Sequence, residues 1–104
     1  MPRPIIKLTD PESGMAYYLE WSTVVDAPVT YGMNLIEFKT HYESEYGAAG
    51  MRDLDERLSR VQASGCSSHR FDLDELIECN RAGPNESQIS KAEILERYCI
   101  NPPD

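Results

Sequence analysis

The chain has 104 residues, 18 acidic against 10 basic, for a net charge of −8, with 40% hydrophobic and 27% charged residues. That length and composition predict one globular domain, 1–104, and exclude a globally disordered chain. The acid excess repels phosphate backbones and anionic lipid, and there is no basic stripe to offset it, so direct nucleic-acid or membrane binding is not expected.

The imbalance grows along the chain. Residues 1–33 carry two bases and four acids, 34–65 four and six, and 66–104 four and eight. Cys66, Cys79 and Cys99 are three cysteines with no tight pair. No apolar stretch approaches a membrane span, and no secretory leader is read at Met1-Pro2-Arg3-Pro4. A cytoplasmic protein with free thiols is the expectation.

The fold class read from the pattern is α+β: an N-terminal antiparallel β-hairpin or small sheet packed against about four short helices. The organisation divides into hairpin and loop (1–33), helical part (34–100) and tail (101–104). Ile5, Ile6 and Leu8 form the first strand, and Thr9-Asp10-Pro11-Glu12-Ser13-Gly14 is a turn written in turn residues. Met15 to Val25 then alternates, with Tyr17, Leu19, Trp21, Thr23 and Val25 as the expected core face. Ala16, Tyr18, Glu20, Ser22 and Val24 form the opposite, outward face. Residues 26–32 read as a connecting loop.

Helix boundaries are marked by caps. Asn34 to Glu37 has capping-box spacing, with Leu35, Phe38, Tyr42 and Tyr46 following near helical period and Gly47 as the stop. Gly50 to Gly65 predicts a second helix with the stripe Met51, Leu54, Leu58, Val61 and the i,i+4 pairs Asp53–Arg57 and Glu56–Arg60. Asp72 to Glu75 and Ser90 to Glu93 repeat the box. Leu73, Leu76, Ile77 and Cys79 are placed inward on the third helix, and Ile94, Leu95 and Tyr98 on the fourth. Gly83-Pro84 separates them.

Catalytic signatures are missing: there is no phosphate-binding loop, no dinucleotide fingerprint and no nucleophile elbow. Cys66-Ser67-Ser68-His69 is a C-x₂-H half-site whose downstream cysteines, Cys79 and Cys99, lack paired spacing. No metal, no cofactor and no enzymatic activity are therefore expected. His41 is placed on the polar flank of its helix, in solvent. The partner-binding candidates are Tyr18 and Glu20 on the outward strand face, with the acid cluster Asp72, Asp74, Glu75 and Glu78. Carboxylates beside an exposed tyrosine have the composition of a contact surface; the other reading of Tyr18 is that it packs under a helix or loop.

A very small, acidic, catalytically empty chain has the profile of viral proteins that disable nucleic-acid machinery, anti-CRISPR inhibitors among them. The expected function is a module that occupies a basic nucleic-acid-binding surface of a partner protein. One alternative is an adaptor or structural subunit whose charge serves solubility. A second is a small Cys/His zinc or thiol protein.

Overall fold

A computed structural model of the chain describes residues 3–102; Met1, Pro2 and the tail residues Pro103 and Asp104 lie outside the described residues. Strand β1 spans Ile5–Thr9 and β2 spans Ala16–Ser22, paired antiparallel with Ile6 opposite Leu19 and Leu8 opposite Tyr17. Their connection is closed by Asp10. Its carboxylate accepts from the Glu12 amide and the Ser13 hydroxyl, each at 2.9 Å. These bonds, led by the Glu12 amide, hold the Asp10 carboxyl below its ordinary value.

The expected connecting loop contains a third strand. Residues Ala27–Pro28, β3, pair antiparallel with β2, giving a sheet of order β1-β2-β3. The pairing continues past a bulge. Val29 N–H donates to Glu20 O at 2.9 Å, and Tyr18 and Met33 exchange both backbone bonds. Between Trp21–Pro28 and Tyr18–Met33 the partner segment advances two residues further than β2 does. In the bulge the Thr30 hydroxyl accepts from the Glu20 amide at 3.1 Å. β2 stops at Ser22, so Thr23 and Val25 are exposed loop residues and not core. On the other edge, Lys7 N–H donates to Gly65 O and Ser67 N–H to Ile5 O, both at 2.9 Å. Both edges of the β1–β2 hairpin are thus paired, which removes the exposed ladder groups of a bare hairpin.

The helical part differs from the expected four short helices. It comes as two longer runs, Leu35–Ser64 (α1) and 91–100, with a six-residue helix, Leu73–Glu78 (α2), and a 3₁₀ turn, Pro84–Glu86, between them. α1 begins on the capping box of Asn34 and Glu37, and both reciprocal bonds are made. Gly47, read as a stop, is a kink: its φ of 65° and ψ of −160° are non-helical, yet the next turn resumes at once. Gly65 closes the run in the left-handed region at φ 87°, its amide bonded to Val61 O. Asp72 and Glu75 form the second full capping box. The third is half made: Ser90 accepts from the Glu93 amide at 3.1 Å, without the reciprocal backbone bond. The segment it starts, α3 (Lys91–Leu95), widens into a π-helical turn over Glu96–Ile100.

The sheet lies between these helices, with a separate core on each face. Ile6, Leu8, Leu19 and Trp21 pack with Leu73 and Leu76 of α2 and with Ile94, Leu95 and Cys99. Ile5 and Tyr18, on the opposite face, pack with Phe38, Tyr42, Leu54, Leu58 and Val61 of α1. The face read as outward is therefore buried.

Candidate functional site

The second buried face carries the polar groups. Alternation along β2 puts Glu20 on the same side as Tyr18, under α1, where it is 2% exposed. Its carboxylate is shared between two residues of α1: His41 Nε2 lies 2.9 Å from one oxygen, and the Tyr46 hydroxyl donates to the other. His41 and Tyr46 are five positions apart, on the flank of a helix that presents Phe38 and Tyr42 to the sheet. Phe38, Tyr42 and Tyr46 stack at four-residue steps, with ring centroids 5.8 and 4.5 Å apart.

Burial and the bond to Glu20 push the Tyr46 phenol up to about 12. Deprotonating it would place a second anion beside the carboxylate in a poorly solvated site. Burial also raises the Tyr42 phenol, opposed by the guanidinium of Arg57. Arg57 donates to the Tyr42 hydroxyl, to the carbonyl of Arg3 and, at 3.3 Å, to Ser67 Oγ. Ser67 Oγ also accepts from the Ile5 amide at 2.8 Å. The expected Asp53–Arg57 surface pair is thus replaced by a buried guanidinium tying α1 to β1 and to residue 67. Glu56–Arg60 does form, at 2.9 Å.

The sequence-predicted site residues separate into two groups. Tyr18 and Glu20 are corrected: Tyr18 is 4% exposed, packed against Phe38, and its hydroxyl accepts from Gln62. They are buried because α1 covers the strand face that a bare hairpin would leave in solvent. Asp72, Asp74, Glu75 and Glu78 are all exposed on α2. Two of them have a local task, since Asp72 and Glu75 cap the helix. Asp74 and Glu78 have no ion-pair partner among the described residues. His41, expected in solvent, is corrected to a partner of Glu20.

Sequence reasoning missed the buried Glu20, with its half-buried partner His41 and the more exposed Tyr46, and the buried Arg57. A signal existed. Ile5 and Ile6 are consecutive in a strand and point to opposite faces, which implies two covered faces.

A carboxylate–imidazole pair is the orienting half of many general-base sites. Here no serine, threonine or cysteine side chain is hydrogen-bonded to His41 among the described residues, so the pair orients α1 against β2. Among those residues no three metal-ligating groups converge. Cys66 and Cys99 sit in the apolar core, where burial raises both thiols, Cys99 to about 12, whereas Cys79, expected inward, is exposed beyond the end of α2. The Cys66, His69, Cys79 and Cys99 set is not assembled. No described helix is long and apolar enough to cross a membrane. No protein family, no curated protein and no solved structure matches the chain.

Proposed function

We propose that the protein is a non-enzymatic binding module that engages a basic surface of a partner protein, and that it acts as an inhibitor of the anti-CRISPR kind by occupying a groove a nucleic acid would otherwise use. The observation that carries this reading is unneutralised surface charge. Among the described residues the ion pairs are Glu20–His41, Glu56–Arg60 and Asp26–Arg81. Asp74 and Glu78 of α2, and Glu43, Glu45, Asp53 and Asp55 of α1, face solvent without a cation. Such a field steers encounter with a basic surface and rejects nucleic acid and anionic membrane. The compartment consistent with the three free thiols is the cytoplasm.

The experiment is competition on a partner captured by affinity from lysate and known to bind nucleic acid. This protein is titrated against labelled nucleic acid already bound to that partner. Displacement that weakens with added salt is expected. Asp74→Asn with Glu78→Gln should slow association and flatten the salt dependence, while leaving stability within about 0.5 kcal/mol. Simultaneous binding of both ligands without mutual weakening would overturn the occupancy mechanism and leave the adaptor reading in its place.

A further inference from the structure

In this strongly acidic chain one cleft is basic. A cavity of about 250 Å³ is lined by Arg57, Arg60, Ser67, Ser68, His69 and Arg70, beside Pro4. Among the described residues no carboxylate lines it, although Glu56 pairs with Arg60 from outside it. Arg57 is 8% exposed and has no carboxylate within ion-pair distance among the described residues. Its hydrogen bonds go to neutral oxygens of Tyr42, Arg3 and Ser67. Burying a guanidinium without a counter-charge is costly, and an anion in the adjoining cleft relieves that cost.

The hydrogen-bond accounting refines this. Arg60 Nε donates to the Ser67 carbonyl at 2.8 Å and its Nη1 pairs with Glu56 at 2.9 Å, and the Pro4 carbonyl accepts from the Trp21 amide at 2.8 Å, so the uncompensated cations at the cleft are Arg57 and Arg70. The donors are in surplus. Ser67 Oγ accepts from Ile5 and Arg57, and Ser68 Oγ accepts from the amides of Arg70 and Phe71. Neither hydroxyl proton is committed to a described partner. Arg70 holds its guanidinium over the Phe71 ring, 5.7 Å from the centroid, at the rim. Guanidinium forks and hydroxyl donors around a small cavity are the chemistry that recognises a tetrahedral oxyanion.

We propose that this cleft binds the phosphoryl group of a small phosphate monoester. The net charge of −8 opposes a polyanion, which favours a single phosphoryl group.

The test uses the full chain with inorganic phosphate as the probe and sodium chloride at matched ionic strength as the control. Phosphate should raise the melting temperature by several degrees as its concentration passes the dissociation constant, and chloride should not. Amide resonances of residues 67–70 should move in the same titration. Arg60→Gln with Arg70→Gln should weaken phosphate binding at least tenfold. Arg70→Gln alone, at an exposed position, gives the same direction of change if the double variant does not fold. Phosphate stabilises proteins generally by exclusion from their surfaces. An equal rise in parent and variant would therefore overturn the proposal. So would no rise up to tens of millimolar phosphate, or tighter binding of a short oligonucleotide than of phosphate.

Discussion

The two faces of the sheet are built on opposite principles. The face toward α2 and α3 is mainly apolar: Ile6, Leu8, Leu19 and Trp21 meet Leu73, Leu76, Ile94, Leu95 and Cys99, with one buried amide, Asn80, bonded to the backbone of Ile77 and Ile89. Its one buried side-chain polar atom without a partner among the described residues is Trp21 Nε1. The face toward α1 mixes a similar apolar centre with Glu20, Arg57 and Ser67, all buried, and with the hydroxyls of Tyr42 and Tyr46. The first face is stabilised by area removed from water, which tolerates shape change poorly and is non-directional. The second adds directional bonds that work only at one register of α1 on β2. A polar group buried there is costly unless its partner is in place, so the network selects one alignment of helix and strand.

That comparison can be broken experimentally. The largest effect is expected on the apolar face. Leu19→Ala opens a cavity in the middle of the sheet and should cost about 2–5 kcal/mol in denaturant unfolding. A loss below about 1 kcal/mol would mean that the face is loosely packed. On the polar face, Glu20→Gln keeps the shape and removes the charge, and should cost about 1–3 kcal/mol by leaving His41 and Tyr46 with a poorer acceptor. A double-mutant cycle of Glu20→Gln with Tyr46→Phe should show coupling of at least about 0.5 kcal/mol, because the two side chains share one bond. Additivity within error would dissolve the network into independent contacts.

The caps lie outside both faces and set the scale of a purely local contribution. Ser90→Ala should cost about 1 kcal/mol, less than either core change, by freeing the Glu93 amide. The smallest effect concerns pH. The folded protein holds the Tyr46 proton up to about 12 against an ordinary value of 10.0, so the unfolded chain loses that proton first as pH rises. The contribution of this group is complete below pH 10 and is lost as pH approaches 12. Tyr46→Phe should flatten the decline of the melting temperature across that window. An unchanged slope would show that Tyr46 ionises as freely folded as unfolded.

What was legible in the sequence shares one property: partners within a few positions of each other. Asn34 with Glu37, Asp72 with Glu75, Ser90 with the Glu93 amide, and Asp10 with Glu12 and Ser13 all lie three or fewer residues apart. Their backbone geometry is set by the segment itself, so residue type and spacing were enough. The first two strands, the apolar stripe Leu54–Leu58–Val61 and the α+β class belong to the same group, because periodicity records which side of an element is buried.

The rest was decided by what packs against what. Tyr18, Glu20, His41 and Arg57 each look like surface residues in local context. Tyr18, Glu20 and Arg57 are buried and His41 half-buried because α1 packs on the strand face that alternation alone assigns to solvent. β3 has two residues and no strand signal, and it exists because β2 offers an open edge to the chain returning past it. Gly47 carries the signature of a helix end and does break the helical path, at φ 65° and ψ −160°, but the helix resumes directly, and only the packing of Leu54, Leu58 and Val61 with Phe38 and Tyr42 shows that the two halves serve one core. Glu20 meets Tyr46 across 26 residues and Arg57 meets the Arg3 carbonyl across 54. Contacts at such separations leave no local trace, since their free energy comes from desolvation and charge complementarity that arise only once the helices and the sheet are assembled.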